Sequence, residues 1–365
     1  MSNPDVQTNK IKLRQSNFEL LRIVSMCMII AMHYMTKGMR IPKLSVDHSL
    51  HNIFFWIIYA FCLSSVNAYV FISGYFATDS KWNIGKLIRL WAEVLVYSIC
   101  VPLVMSAFGI FDLAGKDLSV KQQIFLPMSY EHYWFATAYI MLFIVSPILN
   151  AAIQKLDKKV FKMVLITLVA VFCGFKSINP YLIPWDKYGN DVMWFIVLYV
   201  TAGYIRLYGV PFIKTKDPKK IKTYGFAAYV IFSLATFMIA FAYSFIVMNT
   251  GKLEYSMDMT YCYNYITIYI ASIGLFVAFA NMDTKGRDLL NRIAACTFGV
   301  YLLHDNIALR ELWQKVLGIE CVAGKWWQFF HMLLCIVIVF VIGVLIDCIR
   351  NGIFKAFNKP VKKDR

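Results

Sequence analysis

The run NFELLRIVSMCMIIAMHYM, Asn17 to Met35, is long and apolar enough to cross a bilayer, yet it carries charge inside it. Arg22 lies within the run, Glu19 one turn before it and His33 near its far end. An ionisable side chain at membrane depth costs roughly 2.5 kcal/mol or more, so it is retained where it faces a cavity, a partner or a ligand. Arg22 and His33 are separated by eleven positions. At about 100° and about 1.5 Å per residue they point within about 20° of each other and lie roughly 16 Å apart along the axis. One flank of the helix thus presents, in ascending order, Glu19, Arg22, an apolar stretch of Met26 with Ile29 or Ile30, and His33. The plainer alternative is a Glu19–Arg22 pair at one membrane surface, with His33 anchoring the other.

The rest of the chain extends this pattern. Its 365 residues are 59% hydrophobic and only 16% charged, too apolar for a soluble globule and too long for one or two anchors. Uninterrupted apolar runs fall at about ten places: 17–36, 53–77, 88–111, 133–153, 160–178, 191–208, 223–248, 263–281, 294–311 and 328–350. Their length selects helices over barrel strands, which would alternate over about ten residues. The expected fold is all-α and polytopic: a cytoplasmic leader at 1–16, one transmembrane bundle at 17–350 and a basic tail at 351–365. The ninth run is the weakest, because His304, Asp305, Asn306 and Arg310 interrupt it.

Charge sets the orientation. With the N-terminus inside, the inner segments hold 26 of the 37 Lys and Arg residues and the outer loops 11, so the positive-inside rule selects N-in, C-in. The same bias accounts for the net charge of +16, so a nucleic-acid partner is not needed to explain it. Charges within the first run, and the lack of a small-residue cleavage site after it, favour a retained signal anchor. The nine cysteines form no framework, since Cys27, Cys62, Cys100, Cys173, Cys335 and Cys348 lie within spans. Cys262 and Cys321 both fall on the outer side and could pair. No metal-ligand spacing stands out, and no metal is expected.

Polar residues gather at two depths. Ser73 and Gly74 end the second span near the depth of Arg22, and Lys86 and Arg89 open the third with Glu93 a turn further in. With Arg22 they would form a cationic inner mouth suited to phosphate; helix packing and ordinary interfacial anchoring are the competing explanations. At the outer mouth stand His33, the Glu131-His132-Tyr133-Trp134 stretch and the ninth run with His304 and Asp305. The last two are about 100° apart on a helix and are not expected to bond each other. Trp185, Trp326 and Trp327 suit an interfacial belt or sugar stacking.

In order along most of the chain, these residues resemble the membrane acyltransferase-3 family: Arg22 and His33 with ten residues between them, Ser73-Gly74-Tyr75-Phe76, Lys86-x-x-Arg89, Tyr133-Trp134-Phe135 followed by Pro147, and Gly299-Val-Tyr-Leu-Leu-His304. The resemblance implies a multi-pass protein of the bacterial plasma membrane. It implies transfer of an acyl group, most often acetyl, from cytosolic acyl-CoA to a sugar hydroxyl of a surface or exported glycan. It further implies that His33 is the catalytic base and that Arg22, Lys86 and Arg89 serve activity or donor binding. By position, Ser73 and Gly74 are expected beside the donor, and Glu19, Trp134, His304 and Asp305 in support. Lys86 departs from the family's usual arginine, which removes a bidentate phosphate contact there. Direct transfer and an acyl-His33 intermediate are both open. A transporter or flippase using Arg22, His33 and Asp305 as a coupling relay is the alternative from another class.

Overall fold

The computed structural model describes residues 15–357 apart from 79–80, 129–131, 180, 182–185, 211–212, 214 and 285–286; Glu131, Trp185, the leader up to Arg14 and the tail beyond Phe357 lie outside the described residues. Every regular element among the described residues is helical. Helix α1 (Ser16–His33) runs on through a π-helical turn, Tyr34–Gly38. Helices α2 (Leu50–Cys62) and α3 (Ser64–Ala77) make one crossing and α4 (Ile84–Ala107) the next; the short α5 (Leu118–Phe125) follows in a loop. Then come α6 (Trp134–Lys155), the crossing built from α7 (Lys158–Val169) and α8 (Phe175–Ile178), and α9 (Val192–Tyr208). Helix α10 (Pro218–Thr250) is followed by the short α11 (Glu254–Met259) and by α12 (Ile266–Ala280). The chain closes with α13 (Asp288–Ala295), α14 (Thr297–His304), the short α15 (Leu312–Val316) and α16 (Ile319–Val322), and α17 (Gln328–Phe357).

Seven of these helical runs are long and apolar enough to cross a membrane, and α9 and α12 are shorter apolar helices. The ninth expected span is broken: α13 stops at Ala295, and α14 ends at His304 rather than running to residue 311. The physical reason is visible in the polar residues that weaken that stretch. Asn306 donates to the Tyr97 carbonyl and the Tyr133 hydroxyl, the His132 ring accepts from the Ile307 N–H, and Trp313 donates to the His304 carbonyl. These bonds satisfy backbone and side-chain groups that leave the helix, which an apolar setting requires.

Helix α1 lies within the bundle, packed on α2, α3, α12, α13, α14 and α17. Its first turn is tied down by Asn17, which donates to the carbonyls of Phe279 and Ala280, and by Ser16, which bonds Asn291. Asn150 reaches the Ala77 carbonyl, Gln154 the Thr78 carbonyl, and Arg350 pairs with Glu93 at 2.8 Å. Helix ends that the sequence assigns to the basic side thus pair with one another. Close helix crossings rest on small residues, because without a hydrophobic drive between helices the backbones themselves must approach. A Cβ on Gly225 would lie 2.7 Å from the Ala278 nitrogen, and one on Gly274 would lie 2.6 Å from the Gly225 oxygen. Helices α10 and α12 thus meet backbone to backbone.

Candidate functional site

The flank of α1 defined by Met26, Ile29 and His33 forms one wall of a cavity of about 360 Å³. The π-helical turn adds Thr36 and Lys37, α3 adds Tyr69, the start of α6 adds Trp134 and Phe135, and the ninth crossing adds Tyr301, Asp305 and Arg310. His132 also lines it. π-helical turns are rare and recur at functional sites, and here the turn follows the histidine directly.

Counting hydrogen bonds fixes the chemistry of each ring. His304 Nδ1 lies 2.8 Å from the Val300 carbonyl, which can only accept, so that nitrogen carries the proton. In the neutral ring Nε2 is then an acceptor, and it lies 3.0 Å from His33 Nδ1. His33 must therefore donate from Nδ1, which leaves its Nε2 unprotonated and uncommitted beside the cavity. His132 is spent differently. Its Nδ1 donates to the Gln123 carbonyl and its Nε2 accepts from the Ile307 N–H, so neither nitrogen is left for chemistry. Burial accordingly pushes its pKa down to about 4.

Asp305 does not bond His304. It is buried and takes an ion pair from Lys37 at 2.5 Å, so the adjacent pair in sequence serves two different partners, as expected for neighbours about 100° apart. Trp134 stacks on Tyr263 along the cavity wall.

A second cavity of about 280 Å³ lies toward the basic end, lined by Arg22, Ser73, Phe76, Lys86, Tyr139 and Tyr199 among others. Arg22 is paired with Glu19 at 2.6 Å, and among the described residues the second oxygen of Glu19 has no partner. Part of the positive charge expected at this mouth is thereby compensated within α1, and Lys86 is the further cation in the lining. Gly74 does not face the cavity. It packs on α9, where an added Cβ would stand 3.0 Å from Tyr199 Cα. Arg89 is exposed and outside the lining, and Glu93 turns to Arg350.

Arg22 and His33 line two separate cavities, and aromatic rings stand between them. Tyr69 lines the His33 cavity and donates to the Arg22 carbonyl at 2.7 Å. Phe135 stacks on Tyr139 with planes 11° apart, and Tyr139 bonds Ser73 at 2.9 Å. Cys262 and Cys321, open to pairing from the sequence, are both free thiols, Cys262 buried and Cys321 exposed.

Lys37, Tyr69 and Arg310 were not legible as site residues from sequence, whereas His132 and Tyr301 stood in stretches already singled out without a role of their own. Lys37 and Arg310 carried one usable signal, as cations on the side that the charge bias disfavours. Among the described residues no cluster of His, Cys, Asp and Glu has the make-up of a metal site.

The sequence profile of an acyltransferase domain matches residues 15–348, nearly the whole chain and the whole bundle. The chain belongs to the acyltransferase-3 family. It is a multi-pass membrane acyltransferase, which sets aside the transporter reading. No curated protein and no solved structure matches it.

Proposed function

We propose that this acyltransferase moves an acyl group, acetyl above all, from cytosolic acyl-CoA to a sugar hydroxyl of an exported glycan in the bacterial plasma membrane, with His33 as general base. The observation that carries the reading is the chain Val300 carbonyl, His304, His33, which leaves His33 Nε2 as a free acceptor in a cavity. In this scheme the acceptor hydroxyl gives its proton to His33 Nε2 as its oxygen attacks the thioester carbonyl. The tetrahedral intermediate then collapses, the C–S bond breaks, and the thiolate leaves with the proton held on Nε2. His304 orients the ring and shares the transient charge; Asp305, on the same cavity, favours that charge electrostatically. Arg22, held by Glu19, would receive the donor's phosphate-bearing end together with Ser73 and Lys86. The donor's narrow arm would pass the Tyr69–Phe135–Tyr139 partition, which must open for it.

The test is transfer by purified protein in liposomes loaded with labelled acetyl-CoA. Saturable binding of acetyl-CoA, weakened by Arg22→Ala or Lys86→Ala, and an acetyl ester on added glycan are expected. Failure of acetyl-CoA both to bind and to donate would overturn the reading. Rapid quench without acceptor separates the two chemistries: label held by the wild type and absent from His33→Ala would replace direct transfer with an acyl-His33 intermediate.

A further inference from the structure

A third cavity of about 310 Å³ adjoins the His33 cavity, and the two share Lys37 and Arg310 as a common wall. Arg40, Lys315 and Gln314 line it, as do the carboxylates Glu311 and Glu320. Four of the 11 cations outside the inner segments thus converge on one recess, against the bias that keeps basic residues on the other face. Lys37 is neutralised by Asp305, but among the described residues no carboxylate pairs with Arg40, Arg310 or Lys315.

Two further features point to a missing ligand. Gln314 is only 8% exposed, yet among the described residues its side-chain Nε2 has no hydrogen-bond partner. A buried amide donor left unpaired costs about 1–3 kcal/mol, which a bound acceptor atom would remove. Arg40 holds a φ of 51°, a left-handed conformation rare for a side chain of its size. Such local strain clusters where a ligand clamp needs it.

We propose that this recess is a subsite for an anionic group of the acceptor, a carboxylate or a phosphate carried near the hydroxyl that is acylated. The inference rests on the acceptor reading above and narrows it: the glycan is acidic. Arg310 and Arg40 hold the anion, Gln314 donates to it, and Lys37 joins the anion site to the reacting centre. Planar guanidinium groups suit both oxyanions.

The experiment measures binding of labelled tetragalacturonate, its carboxyl-reduced counterpart and maltotetraose 6-phosphate to the full chain in phosphatidylcholine nanodiscs at low salt. Saturable binding of an acidic probe at least tenfold tighter than the neutral one is expected, and the tighter acidic probe assigns the anion. The Arg40→Gln/Arg310→Gln pair should abolish that preference, whereas Lys325→Gln, outside the recess, should keep it. An unchanged melting temperature shows that the paired variant is folded, and Gln314→Leu supplies a second, uncharged test that should weaken acidic binding several-fold. Equal binding of acidic and neutral probes, or a preference that survives the paired substitution, would overturn the proposal. Acetyl transfer is scored separately. A protein that binds acidic glycans through these residues but takes no acetyl from acetyl-CoA keeps the subsite and loses the donor reading.

Discussion

His33 and His132 line the same cavity and differ in what remains after their hydrogen bonds are counted. His33 keeps Nε2, so His33→Gln should lower transfer by about 10²–10⁴-fold, the usual contribution of a positioned base, without changing acetyl-CoA binding. His304 acts through His33. Replacing it with Leu strands the His33 Nδ1 proton and frees the ring to adopt the other tautomer, so kcat should fall roughly tenfold or more while the donor's KM stays put; rescue by His304→Gln, which retains an acceptor, would distinguish positioning from packing. His132 has the opposite role. Its pKa of about 4 lies below the ordinary 6.5, so its neutral form favours the folded state. That contribution is complete above about pH 6.5 and is lost as pH falls toward 4. Thermal unfolding in detergent between pH 7 and 5 should show it, with His132→Gln giving a shallower fall than the wild type.

At the scale of elements, the flank of α1 was readable because 3.6-residue periodicity places Arg22, Met26, Ile29 and His33 together, and all four line the two cavities. The partition was not readable, since Tyr69, Phe135 and Tyr139 come from two other helices and nothing in their spacing shows that they meet. The end of α14 was half readable: its polar residues marked a weak span, but their partners Tyr97, His132 and Tyr133 lie far away in sequence. Two predictions belong here. Phe135→Trp enlarges a ring already in the partition and should cut turnover with acetyl-CoA while leaving its affinity within about twofold; an unchanged kcat would mean that the donor arm takes another route. Gly74→Leu drives a side chain into the α9 backbone and should destabilise the folded bundle by about 1–3 kcal/mol, read as a lower melting temperature in detergent.

For the whole molecule, polarity across the membrane decides whether the two mouths can serve a donor and an acceptor from different compartments. The bundle brings Ser16, Asn150, Gln154, Asn291 and Arg350 to one end, and His33, Asp305 and the cationic recess lie toward the other. Only the charge bias says which end faces the cytosol, because a bundle of helices packs the same way in either direction. Cys321 is exposed near the recess, between α15 and α17, and Lys219 is exposed at the start of α10 on the basic loop. In intact cells a membrane-impermeant maleimide should therefore label the wild type at Cys321 and fail to label Cys321→Ser there. Lys219→Cys in the Cys321→Ser background should react only after permeabilisation. The reverse pattern would place Arg22 and Lys86 outside and His33 toward the cytosol, and acyl-CoA could then no longer enter from the Arg22 side.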